Sequence, residues 1–115
     1  MFYKGLAAAV VEALAAARAV GLEEWLRQNI SAELTRADAS TVDRLVTGSR
    51  VHAVRRTHEM AAAADLLDEL GVPARVTRAS RDWLAELASE AAAADAAVAA
   101  LGSGAASAVE PPGAA

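Results

Sequence analysis

Ser49-Arg50-Val51-His52-Ala53-Val54-Arg55-Arg56-Thr57-His58-Glu59-Met60, carried on through Ala64 and Leu67 to Leu70-Gly71-Val72-Pro73, is the stretch from which the fold is read. Ala53, Thr57, Met60, Ala64 and Leu67 recur at spacings of three and four. That spacing lines one face of a helix, with Ala63 and Leu70 alongside. Ser49 is placed to cap its start, Gly71 to end it at C′, and Pro73 to prevent its continuation. The spacing therefore predicts one helix over 50–70. His52, Arg55, His58 and Glu59 fall away from the apolar stripe, and Arg56 sits on its border.

The same punctuation runs outward in both directions. Phe2, Leu6, Val10, Leu14 and Ala17 make an apolar stripe over a helix from Phe2 to Val20, closed by Gly21 with Leu22 folding back. That helix enters its apolar pattern with no N-cap residue, as a helix does when its first turns have been left off. Short helices follow at Glu23–Asn29 and, capped by Ser31, through Leu34 and Arg36. Ser40 with Asp43 forms a capping box for a helix carrying Val42, Leu45 and Val46, ended by Thr47-Gly48-Ser49. The last helix covers 78–101, capped by Thr77 or Ser80, and its second half is nearly pure alanine broken by Asp95. Such a run is intrinsically helical but has little to bury, so projection or fraying is expected. The fold predicted is all-α, a compact bundle of about five helices with a long penultimate and a long C-terminal helix. Residues 1–101 form the helical domain. Residues 102–115, with Gly-Ser-Gly and Pro111-Pro112, form a disordered tail.

Composition narrows the function. The 115 residues are one domain's worth, and more than a quarter are alanine, so the 55% hydrophobic content overstates the core. A net charge of −4 argues against a nucleic-acid binder, which needs clustered positive charge to displace counterions. The absence of cysteine removes disulfides, thiolate metal sites and cysteine nucleophiles. Glu12 and Arg18 interrupt the best candidate for a membrane span. Met1–Ala17 imitates a secretion signal, but Glu12 lies inside its apolar region, and a cytoplasmic protein is expected.

Chemical motifs are few. No glycine-rich phosphate loop and no strand–helix alternation is present to hold a dinucleotide. His52 and His58, six residues apart, diverge by roughly 120° on a helix of 3.6 residues per turn, so no metal site is expected. Arg55 and Arg56 admit two readings. In one, Arg55 pairs with Glu59 across one turn and Arg56 lays its stem over the core edge. In the other, both cations meet a carboxylate or phosphate at a cleft.

Two blocks carry a family resemblance. The first is Tyr3-Lys4-Gly5-Leu6 leading into Val11-Glu12-Ala13-Leu14 and Ala17-Arg18-Ala19-Val20-Gly21. The second is Val51–Met60 leading to Leu70-Gly71-Val72-Pro73. In order and spacing, over about Phe2–Leu87, the chain resembles the helical C-terminal domain of NAD-binding, 6-phosphogluconate-dehydrogenase-like proteins of the β-hydroxyacid dehydrogenase superfamily.

The resemblance implies a mechanism for a complete family member. An N-terminal Rossmann domain holds NAD or NADP, and the helical domain supplies a wall of the substrate pocket and much of the dimer contact. A lysine on the interdomain helix acts as general acid and base during hydride transfer, with an asparagine one turn later. Anchored on Glu12, that lysine would fall before Met1. Lys4 belongs to a later Lys-Gly pair, and Ala8 stands where its asparagine would be. The chain is therefore expected to hold no catalytic or cofactor-binding residue and to transfer no hydride alone.

His58-Glu59 matches the basic-acidic pair that lines the family's pocket, so Arg55, Arg56, His58 and Glu59 are the expected substrate-binding residues, facing an anionic small molecule. A second copy or a separate Rossmann-domain protein is the expected partner, with no nucleic acid and no membrane. The competing expectation is a stand-alone helical interaction module without enzymatic activity.

Overall fold

The computed structural model describes residues 1–108, with side chains through Gly102. The all-α bundle read from the sequence is present as five helices: α1 (Phe2–Ala19), α2 (Glu23–Arg36), α3 (Ala39–Val51), α4 (Ala53–Glu69) and α5 (Arg75–Ala108). Residues 102–108, expected to begin the tail, continue α5, and 109–115 lie outside the described residues.

Two turns repeat one solution. Gly21 and Gly71 sit at φ 75° and 72°, where a Cβ would be strained. Leu22 and Val72 then donate their N–H groups back to Ala17 and Leu67 at 2.8 and 2.9 Å, closing α1 and α4 as Schellman motifs. At the first turn Arg18 donates two hydrogen bonds to Glu23, at 2.9 and 2.8 Å, and fixes the corner between α1 and α2.

Several boundaries differ from the expected ones, each for a local reason. The two short helices merge into α2. Ser31 does not cap, and its carbonyl accepts the Thr35 hydroxyl at 2.8 Å inside the helix. Asp38, not Ser40, caps α3. Its carboxylate accepts the Ser40 N–H at 2.9 Å, while the Thr41 hydroxyl accepts the Asp38 N–H at 2.9 Å. This is the expected capping box, displaced two residues toward the N-terminus.

α3 then runs through Thr47-Gly48-Ser49 and breaks at His52, which is the last cap of α3 and the first of α4 (φ −109°, ψ 23°). The stretch expected as one helix over 50–70 is thus two helices sharing a joint. Gly48 serves contact instead of termination: a Cβ there would lie 3.2 Å from the Arg56 guanidinium, which rests over it.

The packed centre is small. Leu14 and Ala17 of α1, Ala53, Ala64 and Leu67 of α4, and Ala74 of the following turn are its buried apolar residues among those described. Four of the six are alanine, so helix backbones approach closely and each contact buries little area. Asp68 at the end of α4 pairs with Arg78 near the start of α5, and Arg50 at the end of α3 reaches Glu90 of α5 at 3.3 Å, so α4 packs antiparallel to the first half of α5.

Beyond Glu90, α5 has no such companion. At 1.5 Å per residue its 34 residues span about 51 Å, and the molecule measures 75 × 34 × 24 Å with a radius of gyration of 21.0 Å. A globule of this length would have about 13 Å. The accessible surface, 8556 Å², likewise exceeds the about 5,900 Å² of a compact monomer of this mass. Trp25, Trp83, Val98 and Leu101 are among the large apolar side chains left exposed.

Candidate functional site

α1, α4 and the start of α5, with Leu26 of α2, line an open cavity of about 430 Å³. Ala9, Ala13 and Ala16 form one wall, and Met60, Leu67 and Leu70 form the facing one. Small residues on α1 keep that wall recessed, and the larger side chains on α4 overhang it. Glu12, Thr77 and Ser80 supply the polar corner.

Glu12 is the residue that organises this corner. Its half-buried carboxylate accepts the Val76 N–H at 2.7 Å, the Thr77 N–H at 2.8 Å and the Thr77 hydroxyl at 2.6 Å. A helix start leaves such N–H groups without internal partners and carries partial positive charge. α5 therefore receives its cap from α1, more than sixty residues away, and starts at Arg75, ahead of the expected Thr77 or Ser80 caps. Partial desolvation is the largest single influence on Glu12 and would raise its pKa. The Thr77 hydroxyl and the N–H groups of Val76, Thr77 and Arg75 together outweigh it and hold the carboxyl below the ordinary glutamate value.

The expected substrate-binding residues lie elsewhere. Of the stretch around the helix joint, Met60 is the residue that lines the cavity. Arg55 and Glu59 are exposed and pair with each other at 3.4 Å, the one-turn ion pair that the first of the two readings anticipated. Arg56 is half-buried with its guanidinium over Gly48, and His58 is exposed. Arg55 and Arg56 thus lie in the first turn of α4, just past the joint with α3, while Arg50 is drawn away to Glu90.

Reading the sequence did not single out Glu12 as a cap. The available signal was its isolation as the one acid in the eighteen residues of α1. Its partner, 64 residues on, has no local signature. Among the described residues no group of three or more His, Asp or Glu side chains is placed to hold a metal ion. Among the same residues no helix is long and apolar enough to cross a membrane.

No curated protein and no solved structure matches the chain. A family model does, over residues 17–87, from the last turn of α1 to the middle of α5. That span holds both Schellman turns, the α3–α4 joint and most of the cavity's overhanging wall. With well over half of its length matched, the chain belongs to the family described as Domain of unknown function (DUF1932).

Proposed function

We propose that the chain is the helical, substrate-pocket and dimerisation domain of an NAD(P)-dependent 6-phosphogluconate- or β-hydroxyacid-dehydrogenase-like protein, and that it is not catalytically competent alone. The observation that carries this reading is the family match over residues 17–87. It covers the second block, Val51–Met60 through Pro73, and the Ala17–Gly21 end of the first, whose order and spacing resemble the C-terminal domain of those dehydrogenases.

In this reading Arg55, Arg56, His58 and Glu59 near the start of α4 are half of a site. Arg55 and Arg56 attract an anionic hydroxyacid, His58 donates a hydrogen bond to it, and Glu59 holds Arg55 in place through the pair at 3.4 Å. A Rossmann domain holding NAD or NADP supplies the other half, including the lysine that moves the proton and the nicotinamide that moves the hydride. The uncovered apolar faces of α2 and α3, with Trp25, Val42, Leu45 and Val46 exposed, fit a domain that works against a partner. The same faces support the second reading, a stand-alone helical interaction module in which the cations have no ligand.

An NMR titration of the isotopically labelled chain with 6-phosphogluconate separates the two. The dehydrogenase reading expects saturable shifts confined to residues 52–59, abolished in Arg55→Ala/Arg56→Ala. Shifts absent at millimolar ligand, or spread evenly over the surface arginines, would overturn it and leave the interaction module.

A further inference from the structure

The cavity beside Glu12 has a chemistry of its own, unlike that of the cations on α4. Its walls are apolar: the recessed alanines of α1 face Met60, Leu67 and Leu70, and Val20 and Leu26 close it at the α1–α2 corner. α1 is held at its distance at two points. Glu12 ties it to Val76 and Thr77 of α5, and the Arg18–Glu23 pair fixes the corner with α2. Water inside would meet polar groups at one corner and none along the walls. Such water is poorly held, and an apolar molecule displaces it favourably. The volume of about 430 Å³ is room for roughly fourteen water-sized groups of about 30 Å³ each.

The polar corner decides what else the ligand carries. Glu12 is already engaged: Oε1 accepts the Thr77 N–H and hydroxyl, and Oε2 accepts the Val76 N–H. The Thr77 hydroxyl is used in the same bond. Ser80, three residues further along α5 and half-buried, is the remaining polar residue of the lining, and among the described residues its hydroxyl has no hydrogen-bond partner. A serine hydroxyl donates one hydrogen bond and accepts others, so it can hold an alcohol or a carbonyl oxygen.

Charge excludes the alternatives. A carboxylate or phosphate head would lie beside the ionised Glu12 in apolar surroundings. An ammonium head would meet the positive end of α5, whose charge Glu12 already matches, and would lack a free carboxylate to receive it. A neutral head avoids both costs.

We propose that this cavity binds a neutral, apolar molecule of roughly eight to ten carbons with a single alcohol or carbonyl oxygen, held by the Ser80 hydroxyl against the alanine and leucine walls. The site is separate from Arg55, Arg56, His58 and Glu59 and goes beyond the hydroxyacid reading. Failure of the 6-phosphogluconate titration would leave it standing, and its own failure would leave that reading untouched.

Methyl-resolved NMR of the full chain, titrated with 1-octanol, tests the site. Saturable shifts are expected at Ala13, Met60, Leu67 and Leu70, and none at Val42, Leu45 and Val46 on the exposed face of α3. Octanoate, of the same length but charged, should bind at least about 10-fold more weakly. Ser80→Ala removes the one hydrogen bond and should weaken 1-octanol about threefold to tenfold, while toluene, which has no oxygen, binds parent and variant alike. Ala13→Phe fills the space from the α1 wall and should abolish the shifts with helical circular dichroism unchanged. Four results would each overturn the proposal: no saturable shift up to the solubility of 1-octanol, octanoate binding as tightly, undiminished affinity in Ser80→Ala, or undiminished affinity in a folded Ala13→Phe.

Discussion

The Glu12 carboxylate accepts both the backbone N–H and the hydroxyl of Thr77, at 2.8 and 2.6 Å, and so joins the middle of the first helix to the first turn of the last. Helix caps are usually local, supplied by the residue just before the helix. Here the turn before α5 is Gly71-Val72-Pro73-Ala74, which has no polar side chain to offer. The long-range carboxylate replaces the missing cap and aligns α1 with the α4–α5 hairpin in one contact.

Removing that contact should destabilise the fold. Glu12→Ala leaves the α5 N–H groups without their acceptor beside an apolar wall, and a loss of about 1–2 kcal/mol is expected. Glu12→Gln keeps one acceptor oxygen and loses the charge, so it should fall between the two. Urea melts followed by circular dichroism give the order directly. A Glu12→Ala variant as stable as the parent would mean that the cap adds nothing to stability.

The same carboxylate makes stability depend on pH. Its pKa is lower in the folded chain than in the unfolded one, so the folded state favours the ionised form. The stabilisation is fully present above the ordinary glutamate value and fades as pH falls through the lower, folded value. Melting midpoints of parent and Glu12→Gln should therefore converge on acidification. A gap between them that stays constant through the acidic range would contradict the linkage.

Two glycines should respond in opposite directions. Gly71→Ala places a Cβ on a residue at φ 72° and should cost about 1 kcal/mol. Gly48→Ala lies inside α3, where alanine is favoured by about 0.5–1 kcal/mol. The obstacle there is the tip of Arg56, at 3.2 Å, a flexible end that can swing aside. A modest net gain is expected, read from the same urea melts, and a clear loss would show that the Arg56 guanidinium is held in place.

The buried alanines set the helix spacing. Ala74 is 0% exposed and clusters with Ala64 and Leu67. Ala74→Leu should overpack this small centre and cost about 1–3 kcal/mol. Arg55→Ala, by contrast, removes an exposed ion pair and should change stability by no more than about 0.5 kcal/mol. Thermal denaturation of the two variants side by side checks the contrast.

What could be read from sequence was what is local. Gly21 and Gly71 announced their turns because each combines the left-handed residue with an apolar neighbour that folds back. The α-only architecture followed from alanine and leucine spacing. The helix ends that shifted did so where a second residue competed: Asp38 displaced Ser40 as a cap, and Arg56 turned Gly48 from a stop into a contact. The Glu12–Thr77 link was illegible because each residue has an ordinary local role, and only the tertiary fold brings them together. At the candidate site, the Arg55–Glu59 pair was readable from its spacing. The cavity was not, because its walls come from four helices.

Spectrophotometry of the nicotinamide bears most directly on the central claim, that these 115 residues are part of a dehydrogenase site and not the whole of one. The purified chain is mixed with NAD or NADP and with 6-phosphogluconate or simple β-hydroxyacids, and the absorbance of the reduced ring is followed. The account predicts no change beyond the protein-free control with any pairing. Sustained, protein-dependent reduction of either nucleotide would contradict it.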